Sequence, residues 1–289
     1  MSKLAVVTSI TGRQGLAIAQ SFQKAGYRVR GLSRKAASAP GVECVTVDPN
    51  SVDAMTAALQ GADVAVFTSP VDYREGVRER LAEALVAAAS RAGVRRIILN
   101  TAAPVFEDYE RPVSQSLSAV RDIVLGGAVE AVAIQPTVYM DNLIEPWAAP
   151  PIVNDGVLAY PAPADAPVSW ISHASLGSFA VAAAQTPLGD QRIFNIGAAG
   201  AITGPEAAAI ISATIGREVR YVTVEAGAFG AAMNAAFGPP VGDHLADFYR
   251  YLGDHKHALS RDSAVYAPLG VQPESFAAWA ARQAWPQPA

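Results

Sequence analysis

The run Val6-Val7-Thr8-Ser9-Ile10-Thr11-Gly12-Arg13-Gln14-Gly15-Leu16 passes from an apolar strand, through a turn of small residues, into a helix. A helix N-terminus presents N–H groups without intrahelical partners and the positive end of a dipole, which suits a pyrophosphate. Gly12 would let the backbone come close to a phosphate, and Gly15 would let the helix pack against the strand. Ser9 stands where the usual first glycine makes a tight turn. A G-x-x-G alone is weak, and a plain βα turn with helpful glycines is the bland alternative. Its place after the first strand and before the first helix favours a dinucleotide. No Gly-Lys-Ser/Thr follows, so a nucleotide-hydrolysing loop is disfavoured.

Working outward, short β-branched runs recur at Leu4–Val7, Tyr27–Leu32, Val42–Val47, Val64–Phe67, Ile97–Leu99 and Val132–Ile134. Each has the length of a buried strand. Ile18, Phe22 and Ala25 mark one face of a first helix ended by Gly26. Residues 75–92 read as a longer helix stopped by Gly93, whose Glu75–Arg78 and Arg80–Glu83 spacings suit a solvated face, and Leu117, Val120 and Val124 stripe another before Gly126-Gly127. Strands alternating with helices imply right-handed crossovers and a doubly wound parallel Rossmann-type α/β sheet. That domain is assigned to residues 1–143, with its sheet completed by a segment near 192–196. Residues 144–289 are assigned to a smaller α/β substrate lobe. Its start, 146–167, is dense in proline, which argues against continuous regular structure. Helices near 174–185, 204–216, 228–237 and 243–257 follow, with a strand near 218–224.

The chain has 289 residues, 51% of them hydrophobic, so a sizeable core is available. A net charge of -4 argues against nucleic-acid binding. No apolar run nears the ~20 residues of a membrane helix, and the entry straight into a strand-like run gives no sign of a signal peptide. Cys44 is the lone cysteine, which excludes an intrachain disulfide or a cysteine zinc cluster and fits a cytoplasmic protein. A small-molecule substrate or ligand is the expected partner, and a homodimer is left open.

No Asp or Glu precedes Glu43, so the acidic residue that holds the ribose hydroxyls of NAD is missing after the second strand. That strand instead ends Leu32-Ser33-Arg34-Lys35. Arg34 can offer its guanidinium fork to a 2′-phosphate, with Arg13 and Lys35 in support; a solvated basic turn is the alternative. NADP(H) is the expected cofactor.

The loop Thr11–Gly15, the segment Leu32-Ser33-Arg34, Asp48, and the later Gln135-Pro136-Thr137-Val138-Tyr139-Met140-Asp141-Asn142-Leu143 together resemble the NmrA-like atypical short-chain dehydrogenases. The resemblance implies NADP(H) preference, with members that reduce quinones or phenylpropanoid-like compounds and others that sense the dinucleotide without turnover. By position it implies that Ser9, Thr11, Gly12, Arg13, Gln14 and Gly15 cradle the pyrophosphate, Arg34 holds the 2′-phosphate and Asp48 lies near the adenine. Thr68, Ser69 and Pro70, then Asn100 and Thr101, would border the nicotinamide ribose, and Pro136 to Asn142 the nicotinamide end. Asp48-Pro49 and Thr68-Ser69-Pro70 also make good turns.

Many reductases of the superfamily use Tyr-x-x-x-Lys for proton transfer. None of the nine tyrosines here has Lys four residues on, and Ser114–Val120 offers no lysine either. Tyr139 is the leading candidate donor, against the alternative of an aromatic wall; Tyr73, Tyr109 and His173 are others. Asp254-His255-Lys256-His257 is read as a solvated helix end, since residues two apart diverge on a helix, so no metal is expected. No Gly-x-Ser-x-Gly elbow is present. Three readings result: an NADPH-dependent oxidoreductase acting on a small, apolar carbonyl, quinone or conjugated alkene, the apolar preference read from the apolar and aromatic content of residues 228–251; a non-catalytic NADP(H) sensor; and, more weakly, an isomerase or epimerase.

Overall fold

A computed structural model of the chain describes residues 2–187, 189–198 and 200–286. In chain order its elements are β1 Leu4–Val7, α1 Arg13–Lys24, β2 Arg28–Ser33, β3 Glu43–Thr46, α2 Val52–Leu59, β4 Val64–Thr68, α3 Val77–Ala92, β5 Arg96–Asn100, α4 Pro112–Gly126 and β6 Glu130–Pro136. Then come α5 Ala149–Asp155, β7 Val157–Tyr160, α6 His173–Gln185, β8 Ile193–Ile196, α7 Gly204–Ile215, β9 Arg220–Thr223, α8 Ala226–Phe237, α9 Val241–Asp254 and α10 Phe276–Arg282.

The chain forms two compact units. The first joins Met1–Pro136 with His173–Ile196 and Ala264–Gln272. Its seven strands are all parallel, in the order β3-β2-β1-β4-β5-β6-β8. The order reverses between β1 and β4, where Val6 pairs Arg30 on one side and Ala65 on the other. Such a switch point opens a crevice at the carboxyl ends of the strands. Leu59, Leu85, Val120 and Val124 pack over Ile97 and Leu99 to form the core on one face of the sheet. On the other face α1 buries Ile18, Ala19 and Phe22. Arg96 on β5 donates to the carbonyls of Ala183 and Thr186 (2.7 and 2.8 Å), at the end of α6, and pairs with Glu130. It thereby satisfies carbonyls that the helix leaves without partners.

The second unit comprises Thr137–Ser172, Gly197–Ser263 and Pro273–Ala289. The 144–289 stretch therefore does not stay in one piece, since 173–196 and 264–272 fold with the sheet. In the second unit β7 and β9 form a parallel pair, Leu158 opposite Tyr221. A reciprocal Thr203–Glu206 capping box starts α7. Phe229 and Tyr249, from the α8–α9 hairpin, are buried against Tyr160, whose hydroxyl accepts from Tyr249 at 2.9 Å. Aromatic residues of 228–251, read from sequence as a sign of an apolar substrate, thus include core members of this unit. The proline-dense stretch does contain regular structure, α5 and β7.

Candidate dinucleotide-binding site

The turn after β1 is set by three backbone bonds. Thr8 N donates to Val66 O at 3.0 Å, Ile10 N to Leu32 O at 3.2 Å, and Gly12 N to Ser9 O at 2.9 Å. The last closes a four-residue turn whose first residue, Ser9, is left-handed at φ 56°. That conformation costs an L-residue about 1–2 kcal/mol, which explains why glycine is usual at this position. α1 begins at Arg13, with Gly12 as N-cap; no side chain among the described residues caps it and its first turn holds no acid. Its N-terminal dipole is therefore left for an anion.

The two glycines answer different demands. A Cβ on Gly15 would lie 2.2 Å from Ser9 O and 3.0 Å from Thr8 O, so only glycine lets α1 start this close to the turn. A Cβ on Gly12 would meet Ser9 O at 3.3 Å, and its φ of -87° suits any residue. Space on the open side of the turn, rather than backbone strain, is what Gly12 provides.

This turn forms one wall of a cavity of about 510 Å³ within the first unit. Of the residues that the sequence assigns to the cofactor, Ser9, Thr11, Gly12, Arg34, Thr68 and Pro70 line it. Arg34 is exposed and has no hydrogen bond or ion pair among the described residues. Ser33 beside it donates to the Lys35 carbonyl, which tightens the corner after β2.

Behind the cavity, Asn100 gathers three segments. Its Nδ2 donates to Gln14 Oε1 at 2.7 Å and to Thr68 Oγ1 at 3.4 Å, and its Oδ1 accepts from Ala102 N at 3.0 Å. The amide bond locks the first turn of α1 to the end of β5. Ser69 N donates to Asn100 O at 2.9 Å, while its hydroxyl is buried without a hydrogen-bond partner. A buried hydroxyl without a partner is rare, and a polar ligand group would satisfy it. Thr101 braces the next loop through the Ala103 carbonyl at 2.6 Å.

Other predicted residues fall elsewhere. Arg13 is exposed on the first turn of α1, and Pro136 is buried at the end of β6 opposite Ile196. Neither lines the cavity. Asp48 does not line it either: its carboxylate accepts from Asn50 N and Nδ2, both at 3.0 Å, and these bonds hold its pKa below the usual value. Its neighbours Val47, Pro49 and Asn50 line the cavity instead. Tyr139 is buried in the second unit, bridged to Ile171 at the start of a 3₁₀ turn. His173 is the first residue of α6. Burial raises the Tyr73 phenol above its ordinary value, with the Arg78 guanidinium 5.2 Å from its ring. His255 ends α9, its Nδ1 3.0 Å from Tyr251 O, and no group among the described residues could hold a metal.

Sequence reading missed the opposite wall. Met55 on α2, and Val77, Arg80, Leu81 and Leu85 on α3, line the cavity with the loop 71–74. The apolar spacing 77, 81, 85 was the available signal, since residues four apart share a helix face. In the loop, Arg74 grips Asp72 through two bonds of 3.0 and 2.6 Å, and that pairing lowers the Asp72 pKa.

Residues 1–271 match the model of the NmrA-like family. The chain is similar to a (4-alkanoyl-5-oxo-2,5-dihydrofuran-3-yl)methyl phosphate reductase of Streptomyces griseus, 31% identical over 82% of this chain and 83% of that protein. It is likewise similar to an NAD(P)H azoreductase of Xenophilus azovorans, 28% identical over 84% and 83%. Among solved structures it matches an NADPH-dependent quinone oxidoreductase of Escherichia coli complexed with NADPH, with a TM-score of 0.76 and 21% identity over 96% of this chain and 98% of that one.

Proposed function

The chain belongs to the NmrA-like family, and on that premise we propose that it is an NADP(H)-dependent oxidoreductase acting on a small carbonyl, quinone or conjugated alkene. The observation that carries this reading is the cavity at the switch point, with the uncapped start of α1 at one end and, at another, Arg34, which has no hydrogen bond or ion pair among the described residues. The protein's residues fit the cofactor: the turn Ser9–Gly12 faces the pyrophosphate, Arg34 holds the 2′-phosphate, and the apolar wall takes the adenine. The bound nicotinamide supplies the hydride. Asn100 keeps Gln14 and Thr68 in register so that the turn and the β4 end hold one geometry, and positioning is the main thing such a protein must contribute.

The chain has no Tyr-x-x-x-Lys pair, so another group delivers the proton. Tyr139 is the candidate; if it donates, Tyr139→Phe lowers turnover while NADPH affinity stays unchanged. The same missing pair favours a second reading, a non-catalytic NADP(H) sensor. NADPH oxidation measured across a panel of quinones, enones and azo dyes separates the two. Turnover with any acceptor supports the reductase. Silence with all of them, beside retained NADPH binding, supports the sensor.

A further inference from the structure

We infer that Arg80 is a second, separate cofactor-binding residue, which holds the adenine ring by lying flat against it. This rests on the reading that the cavity binds a dinucleotide. Three arginines stand on the segment that walls the cavity opposite the phosphate turn, and two of them are already engaged. Arg74 is tied to Asp72 by two bonds. Arg78 is buried and donates to the Pro70 carbonyl at 2.9 Å. Arg80 is exposed, lines the cavity, and has no hydrogen bond or ion pair among the described residues, although Glu83 stands one turn further along α3.

Its surroundings decide what it would touch. On α3 it sits between Val77 and Leu81, with Leu85 one turn on, and all of them line the cavity. Apolar side chains suit the faces of a planar base and give nothing to a phosphate. A guanidinium set among them is flat, weakly hydrated and able to stack on an aromatic face. Arg34 differs in setting: it follows Ser33 at the end of β2, where this sheet order places the ribose. The two cations thus divide the nucleotide, Arg34 taking the 2′-phosphate and Arg80 the base.

NADPH and NADH share the adenine and differ in the 2′-phosphate, so the two together are the probe. Both are titrated by calorimetry against the unmutated protein, Arg34→Ala, Arg80→Ala and Arg80→Lys. Arg80→Ala is expected to weaken NADPH and NADH by the same factor, about three- to thirty-fold. Arg80→Lys is expected to recover only part of that loss, because it restores charge without the plane. Arg34→Ala is expected to weaken NADPH alone. A loss confined to NADPH in Arg80→Ala, or its full recovery by lysine, assigns Arg80 to a phosphate and overturns the inference. No loss with either cofactor overturns it as well, and leaves the dinucleotide reading standing. If the unmutated protein binds neither cofactor, the reading beneath fails and the inference falls with it. Arg80 is exposed, so thermal melting should stay near that of the unmutated protein in both variants.

Discussion

Gly12→Val and Gly15→Ala are small changes three residues apart where the turn enters α1, and the structure gives them different consequences for stability. At Gly12 the backbone is extended (φ -87°, ψ 154°), which a β-branched residue adopts without strain, and the new Cβ meets only Ser9 O at 3.3 Å. Replacing glycine also removes freedom from the unfolded chain, worth about 0.4–1 kcal/mol. That gain opposes the tight contact with Ser9 O and the poorer N-cap that valine makes, so melting should stay near that of the unmutated protein. The added branches, however, stand where a pyrophosphate would approach. Displacing two charge-assisted contacts at about 1.5 kcal/mol each costs ~3 kcal/mol, or roughly a hundred-fold in affinity. At Gly15 the new Cβ would be 2.2 Å from a backbone oxygen that cannot swing aside. Overpacking of this kind costs about 1–3 kcal/mol, which over most of its range outweighs the ~1 kcal/mol that alanine adds to a helix. A rigid backbone contact puts the cost well inside that range, so Gly15→Ala should lower both melting temperature and NADPH affinity. Calorimetric titration beside thermal melting reads both quantities. Unchanged NADPH affinity in a folded Gly12→Val would refute the placement of phosphate at this turn.

Arg34→Ala should erase most of the preference for NADPH over NADH, ten-fold or more by order of magnitude; equal affinities for the two cofactors in the unmutated protein would sink that expectation. Ser9→Val should be less stable than Ser9→Gly by about 1–2 kcal/mol, because only glycine accepts φ 56° freely. Denaturant midpoints measure this, and equal midpoints contradict a left-handed Ser9. Asp72 has a folded pKa below its ordinary 3.8, held there first by the Arg74 side chain. Its contribution is therefore complete above the unfolded value and disappears as pH falls through the lower folded one. Asp72→Asn should remove that part of the acid dependence of stability, and an acid unfolding curve identical to the unmutated protein's speaks against the pairing.

What was legible in the sequence was whatever a single segment encodes. Most of the β-branched runs lie at buried strands, and among them only β3 is a half-exposed edge strand, so each is recognised without a partner segment. Arg34 could be read because it follows directly on a strand whose place beside β1 is set by topology. Proline misled in 146–167: Pro150 and Pro151 lie in the first turn of α5, where a missing N–H removes no helical bond, so they mark a start and not a break. The α2 helix, with eight residues and one Ser51 cap, is too short for periodicity to stand out. The aromatic residues of 228–251 could not be placed from sequence for a related reason. Composition does not tell whether Phe229 and Tyr249 face a ligand or each other, and the fold turns both against Tyr160.

The apolar wall of the cavity belongs to the same class. A phosphate turn is a backbone object, and its demands on residues nine to fifteen leave a local trace. The proposed adenine slot draws on side chains of α2, α3 and the loop between β4 and α3, and no spacing rule joins Met55 to Leu85. Arg74, Arg78 and Arg80 look alike in sequence, three basic residues within seven positions. Only packing separates them, by placing Asp72 beside the first and the Pro70 carbonyl beside the second. The third lines the cavity without a hydrogen bond or ion pair among the described residues. A basic residue's role here follows from what lies next to it in space: sequence spacing assigned Arg78 and Arg80 alike to a solvated face, and packing buries the first and leaves the second on the cavity wall.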